Sequence, residues 1–337
     1  MTTATTENAA PTPAAPGPAG TALVIGEALV DVVIHPGAEP VDIPGGSPAN
    51  VALGLARLGR DAELDCWIAD DERGRAIRSH LVADGVRITP EQFGEVHAEW
   101  VAMAEKLGLK TFPELYILHA ATYVFDLDWT PPYPAPAEPP ILVHTGSIAA
   151  ILEPGARTVE QVLRDFRASA TVCYDPNARP QLMGSPEEAR EIVERLVALS
   201  DLVKCSDEDV AWFYGINEDD DAALEGVLRG WLQMGPAIVV VTRGKRGALA
   251  LTHSGLRLEV PADPAVVVAD TVGAGDSFMG GLEDGLWSEG LVGAQQREAL
   301  RAIDAAALER VVRHASRIAD ITVSRAGANP PTRAELA

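Results

Sequence analysis

Residues 266–280 read VVVADTVGAGDSFMG. Three valines lead into Asp270-Thr271, a turn flanked by Gly273 and Gly275 follows, and Asp276 opens an apolar run with the look of a helix. A strand, a glycine turn and a helix, in that order, form an anion site from backbone N–H groups and a helix N-terminus. The spacing is not a dinucleotide fingerprint, because Phe278 stands where the third glycine belongs. Nor does Gly244-Lys245-Arg246 make a P-loop, since it lacks the upstream glycine and the following Ser or Thr. The question is why Asp276, a carboxylate, sits in the mouth of a site that attracts anions. Read as an N-cap, it would only accept hydrogen bonds from the helix amides. Read as a general base, it would take a proton from an incoming hydroxyl while the amides of residues 273–276 face the charge of a transferring phosphoryl group. Such chemistry depends on positioning and electrostatics, so this small set of groups is enough.

Outward from this stretch the chain alternates short apolar runs with longer helical ones. The pattern predicts strands over 21–26, 62–69, 141–147, 171–177, 201–206, 237–244 and 247–253. It predicts helices from Ser47-Pro48 to Gly59 and over 74–85, 159–169, 187–200, 276–288 and 304–320, with Ser47 as an N-cap and Pro48 in the first turn. Repeated β-α units with wholly apolar strands imply an α/β fold whose parallel sheet is covered on both faces. Ligands bind such sheets at the carboxyl ends of the strands, where the strand order reverses. The polar tips TGS, YDPN, CSDED, TRG and DTVGAGD are expected there.

The 337 residues allow one large α/β domain, and a formal net charge of −22 with no basic cluster argues against nucleic acid or an anionic membrane as partner. No run approaches the length of a membrane span. The cysteines Cys66, Cys173 and Cys205 are far apart, which fits a reduced, cytoplasmic protein better than a disulfide or zinc framework. Residues 1–20, almost all Ala, Pro, Thr and Gly, read as a disordered leader without the features of a secretory signal. The seven histidines show no metal spacing and read as surface or core residues, and the acidic run at 218–221 reads as a solvated loop.

Two further places carry chemistry. In PGGSPANVALG (44–54), Gly45-Gly46 permits a sharp bend and close approach of backbone to a ligand, and Asn50 follows one turn into the helix. The plain alternative is an ordinary turn and capped helix. In GEALVDVVI, Asp31 interrupts an apolar run, where a carboxylate is costly without partners but suits sugar hydroxyls. The alternative is a strand end returning to water.

With these residues in hand, the chain resembles the ribokinase-like sugar kinases, the PfkB carbohydrate kinase family. GGSPANVALGLARLG is similar to the family's N-terminal signature and DTVGAGDSFMGG to its C-terminal one; HTGSIA, YDPNARP and KCSDEDVAW resemble the fructokinase branch, and the likeness covers about residues 21–337. It implies a three-layer α/β/α sandwich with a mostly parallel central sheet and a small β lid from segments of about 30–45 and 88–135. The implied activity is transfer of the γ-phosphoryl group of ATP, with Mg²⁺, to a free sugar, D-fructose first, with ribose or 2-keto-3-deoxygluconate as rival substrates. A catalytically impaired sugar- or nucleotide-binding protein is the rival from another class. Carried over by residue, Asp276 is the base and Gly273, Ala274 and Gly275 form the anion hole. Asp31, Gly45, Gly46 and Asn50 hold the sugar, with Arg179 near phosphate or sugar. Asp175, Thr242, Arg243 and Gly244 lie beside the nucleotide, and Ala328 and Asn329 neighbour the adenine. Where many relatives organise Mg²⁺ through water with an Asn-x-x-Glu motif, this chain has Ser206 and Asp209. A monovalent cation, K⁺, is implied near Asp270 and Thr271, and pairing of two copies through the lid sheets is implied by some relatives.

One segment departs from the family pattern. Val96, Trp100, Met103 and Leu107 share one helical face, and Gly108 stands where a helix would stop. This predicts a helix at about 95–107 in place of a lid strand, unless tertiary pairing overrides the local signal.

Overall fold

The computed structural model describes residues 16–33, 39, 41–66, 68–88, 93–94, 117–119, 139–153 and 155–337. The helix expected over 95–107 lies outside them, as do residues 121–129, whose sequence ATYVFDLDW resembles a lid strand of the family.

The strands are β1 (Thr21–Ile25), β2 (Leu29–Val33), β3 (Val41–Gly45), β4 (Asp61–Asp65), β5 (Ile68–Ala69), β6 (Phe93–Gly94), β7 (Ile117–His119), β8 (Leu142–Gly146), β9 (Thr171–Asp175), β10 (Leu202–Ser206), β11 (Ile238–Thr242), β12 (Ala248–Thr252) and β13 (Arg257–Val260). The helices are α1 (Ser47–Arg57), α2 (Glu72–Ala83), α3 (Gly155–Phe166), α4 (Pro186–Leu199), α5 (Asp207–Tyr214), α6 (Asp221–Met234), α7 (Ala274–Ser288), α8 (Arg297–Arg301) and α9 (Ala305–Val323). Eight strands form the main sheet in the order β13-β12-β11-β10-β9-β8-β1-β4. Pairing is parallel from β4 to β11 and antiparallel for β12 and β13. Helices α1, α7 and α9 pack together as one layer, and α3 to α6 pack together as the other. The strands between these layers are apolar because both of their faces are covered. β8 and β9 are buried at every position.

Strand order reverses between β1 and β8: the chain leaves β1 toward β4 on one side and later returns to β8 on the other. The crevice above that point is where such sheets take ligands. A second, antiparallel sheet, β3-β2-β7, stands beside it, with Asp31 opposite Ile43 and Leu118. These strands fall inside the segments expected to form a lid.

Several local expectations need correction. Val266–Val268 form no strand; Val267 is 80% and Val268 55% exposed, and the segment is irregular. Among the described residues the edge strand β13 takes no further partner, and the chain is tied instead by the amides of Ala269 and Asp270 to the Val323 carbonyl, at 2.8 and 3.2 Å. A β-branched run makes a strand only where a partner is on offer. The strand expected over 62–69 is divided, β4 joining the main sheet and β5 pairing with β6 in another. The acidic run at 218–221 is exposed and 218–219 form a turn, as read from sequence, and the Asp220 carboxylate in addition caps α6 by accepting from the amides of Ala222 and Ala223. Residues 16–20, assigned to the leader by composition, are held against α7: Trp287 donates to the Pro18 carbonyl at 2.7 Å and Arg60 to the Pro16 carbonyl at 2.6 Å. The three cysteines, Cys66, Cys173 and Cys205, are buried and free. Among the described residues no helix is long and apolar enough to cross a membrane.

Candidate active site

Asp276 is the third residue of α7, not its cap; the capping position belongs to Gly273, whose φ of 72° is one that glycine adopts without strain. With the capping role excluded, the carboxylate is placed by other elements. Its Oδ1 accepts from the Ser47 hydroxyl at 2.7 Å and from Asn177 Nδ2 at 3.2 Å, and its Oδ2 accepts from Asn50 Nδ2 at 2.8 Å. Asp276 is 6% exposed. Three donors, two from the facing helix α1 and one from the loop after β9, therefore fix the plane of the carboxylate at the first turn of α7. A helix's first turn leaves amides without intrahelical acceptors, which here include those of Gly275 and Asp276. The Ala274 amide turns back to the Thr271 carbonyl at 3.2 Å.

The GGSPAN stretch brings α1 to this point. Gly46, not Ser47, caps α1, with φ of 104° and its Cα so close to the Glu27 carbonyl that a Cβ would stand 2.7 Å from it. Ser47 is thereby moved into the helix, and its hydroxyl is free to reach Asp276. Gly45 abuts Asp31, since a Cβ there would stand 2.8 Å from Oδ2. The Asp31 pKa is raised by burial and by Asp276, against the pull of Arg179. The Arg179 guanidinium is folded onto Asn177 Oδ1 at 2.6 Å and the Ala178 carbonyl at 2.9 Å, near enough for its charge to act on both Asp31 and Glu27.

The polar tips of β9 and β10 lie alongside. Asp175 is wholly buried and accepts from the Lys204 ammonium at 3.0 Å. Burial pushes its pKa up to about 6, with Asp209 and Asp276 adding to the rise and Lys204 opposing it. Asp209 completes a capping box with Ser206 at the start of α5, and its other oxygen accepts from the Ala178 amide at 2.8 Å. Thr242 donates to the Cys205 carbonyl, and Arg243 lies 3.5 Å from both Asp221 and Glu259 with its amide bonded to the Gly247 carbonyl, while Gly244 faces open space. On the tail, Ala328 lies directly over Gly273, where a Cβ would come within 2.5 Å of it. Asn329 accepts from Arg57 at 2.6 Å. Asp270 ties loop to tail by accepting from the amides of Val272 and Gly327, at 3.0 and 2.8 Å, and those two bonds hold its pKa below the ordinary value.

Asp276, Asn50, Gly45, Gly46, Asp31, Arg179, Asp175, Asp209, Gly273, Gly275 and Ala328 are thus gathered around one crevice. Arg243 and Asn329 have their side chains committed to protein partners. Four residues of the site were not picked out from sequence. Ser47 read as a cap. Asn177, at φ of 39°, lay in the quoted YDPN tip, where a polar residue after a buried strand was the available signal. Lys204 is a lone charge in the apolar strand LVKCS. Glu27 follows β1, is buried, and accepts from the Ala149 amide at 3.2 Å. Among the described residues no group of three or more His, Cys, Asp or Glu side chains is arranged to hold a metal ion directly.

Comparison with known proteins agrees with this geometry. Residues 21–335 match the model of the pfkB family carbohydrate kinases. A fructokinase of Klebsiella pneumoniae is 33% identical over 271 residues, which are 80% of this chain and 85% of that protein. An aminoimidazole riboside kinase of Salmonella typhimurium is 31% identical over 266 residues, 77% of this chain and 78% of that protein. A double mutant of the fructokinase from Vibrio cholerae O395, in its fructose-, ADP- and potassium-bound form, matches with a TM-score of 0.72 at 25% identity, over 93% of this chain and 94% of that one.

Proposed function

Because the chain belongs to the pfkB family of carbohydrate kinases and resembles its fructokinase branch, we propose that it transfers the γ-phosphoryl group of ATP to a hydroxyl of a free sugar, D-fructose first. The observation that carries this reading is the Asp276 carboxylate, fixed by Ser47, Asn50 and Asn177 beside the open amides of the first turn of α7. In the proposed step the sugar O–H gives its proton to Asp276 and its oxygen forms a bond to the γ-phosphorus. The bond from that phosphorus to the β,γ-bridging oxygen breaks, and its electron pair leaves on ADP. The charge spread over the phosphoryl oxygens faces the amides around Gly275, which are already oriented.

Asp31, beside Gly45 and Gly46, is placed to accept from sugar hydroxyls, and Arg179 balances its charge. Gly244, facing open space beyond β11, and Ala328, over Gly273, mark the side on which ATP would lie. Each oxygen of Asp209 carries one backbone N–H bond and keeps a lone pair, which fits a water of a hydrated Mg²⁺ rather than the ion itself. Such an ion would supply positive charge to the β- and γ-phosphates. Asp270, held ionised between loop and tail, fits a K⁺ nearby. The strands β2, β3 and β7 fit a lid over the sugar.

The test is ADP release with D-fructose, D-ribose, 2-keto-3-deoxygluconate and aminoimidazole riboside as acceptors. Fructose should give the highest kcat/KM. The riboside is the second reading, carried by the 31% identity to a kinase of that compound; its preference would move the substrate and leave the chemistry. ADP release no greater than the sugar-free background with every acceptor would refute the kinase and leave a binding protein.

A further inference from the structure

We propose that Lys204 is a further residue of the transfer site: its ammonium, buried beneath Gly275 at the first turn of α7, supplies positive charge to the phosphoryl group in transit. This rests on the phosphoryl-transfer reading of Asp276.

Lys204 is 3% exposed in a strand covered on both faces, where an ammonium is costly unless its charge is used. It reaches so near α7 that a Cβ on Gly275 would stand 2.7 Å from Nζ. Glycine at 275 is what lets the ammonium approach the backbone of the first turn. Its ion pair with Asp175, at 3.0 Å, uses one of three N–H donors. Burial by itself would lower its pKa, but Asp175, Asp209 and Asp276 outweigh that and leave it above the ordinary lysine value.

Neutralising Asp175 does not account for the placement. The second oxygen of Asp175 is buried with no hydrogen-bond partner, so the lysine satisfies that carboxylate only in part. A cation beside a helix N-terminus also opposes the helix dipole, an unfavourable arrangement until an anion arrives. Three carboxylates (Asp175, Asp209 and Asp276) act on this one ammonium. These carboxylates would repel an entering polyphosphate, whereas Lys204 sets a positive charge against Gly275 at the first turn of α7. The charge therefore points at the place where the transferring phosphoryl oxygens gather.

The test is Lys204→Met, alone and with Asp175→Asn, beside the unsubstituted enzyme. Removal of one donor from an oxyanion site typically lowers kcat about 10²–10³-fold, and that loss is expected here, with ATP and sugar KM changed by less than about threefold. Asp175→Asn alone is the reference for the double variant: if Lys204 served only to neutralise Asp175, removing both charges would restore stability and leave kcat at the Asp175→Asn level. The proposal expects the double variant to regain its melting temperature and to stay at least about tenfold below Asp175→Asn in kcat; a double variant within about threefold of the Asp175→Asn kcat overturns it. A measurement on the unsubstituted protein stands apart from folding of the variants. Lys204 is one of four lysines in the chain, so its ζ-¹⁵N resonance can be assigned in lysine-labelled protein. That resonance should shift when aluminium fluoride is added to the enzyme with ADP and sugar, and an unmoved resonance overturns the proposal. If the unsubstituted enzyme releases no ADP with any acceptor, it is the phosphoryl-transfer reading that fails; if it turns over and Lys204→Met does so equally, Lys204 alone is refuted.

Discussion

Asp276→Asn separates chemistry from structure at the centre of the site. The substitution keeps the size of the side chain and one acceptor oxygen, but turns the other into an NH₂ donor. If the remaining oxygen stays with Ser47 and Asn177, the new amide faces Asn50 Nδ2, now 2.8 Å from Oδ2, and two donors oppose each other. If it turns toward Asn50, the conflict moves to Ser47 and Asn177. Either way one buried bond to a charged acceptor is lost and a donor is left unmatched, which should cost about 1–3 kcal/mol. Loss of a positioned general base should lower kcat by about 10²–10⁴. Both quantities are read on the same preparation, kcat from ADP release and stability from urea unfolding, with Ser47→Ala as the companion. Ser47→Ala also removes a bond to Asp276 but leaves the carboxylate, so it should show a comparable stability loss of about 1 kcal/mol and a fall in kcat of less than about tenfold. Asp276→Asn retaining more than about a tenth of the kcat would refute the general-base argument, whatever its stability. Equal kcat losses in the two variants would show that the carboxylate acts only as a structural acceptor.

Gly45→Ala places a Cβ 2.8 Å from Asp31 Oδ2 and must displace that carboxylate; at about 1–3 kcal/mol of strain the sugar KM should rise about fivefold or more while the ATP KM holds, and an unchanged sugar KM would remove Asp31 from the sugar site. Burial raises the Glu27 pKa from 4.5 to about 7, so between those values the folded protein binds a proton that the unfolded chain does not, and stability falls as pH rises through that window. Glu27→Gln has no such titration, and at about 1.4 kcal/mol per pH unit its stability relative to the parent should improve by on the order of 3 kcal/mol between pH 4.5 and 8; Asp175 contributes a slope of the same sign to both proteins, so parallel curves from urea unfolding would contradict the burial argument. Burial alone would raise the Asp284 pKa, but His314, Arg60 and Arg333 together hold it below the ordinary value, so its contribution is present above about pH 4 and lost on acidification. Asp284→Asn leaves Arg60 buried without its ion-pair partner and should destabilise by about 3–5 kcal/mol in urea unfolding at pH 7; a loss under about 1 kcal/mol would mean that the cluster is as weak as a surface pair.

Much of this molecule is written locally. Alternation of apolar runs with amphipathic ones determines a covered parallel sheet, because a strand with both faces buried admits no polar alternation. Hence β8, β9, β10 and β11 are where their apolar runs are, and their polar tips lie together at the crevice. The two glycine signatures were legible for the same reason: the backbone shape that admits a neighbour at Gly46 or Gly273 is a property of a few consecutive residues. What sequence could not supply is the identity of partners far apart along the chain. Ser47 looks like a cap and Asp276 looks like a cap, and each would be one in isolation; packing of α1 against α7 gives the two side chains to each other across 229 positions. Val266–Val268 has strand composition but no strand beside it among the described residues, so Val267 and Val268 face water. Lys204 shows in sequence only as a charge in an apolar strand. Adjacency of β9 and β10 sets it on Asp175, and the approach of α7 sets it under Gly275. Local propensity follows from the energetics of neighbouring residues, whereas the direction and protonation of a buried charge follow from whichever distant groups the fold brings within a few ångströms.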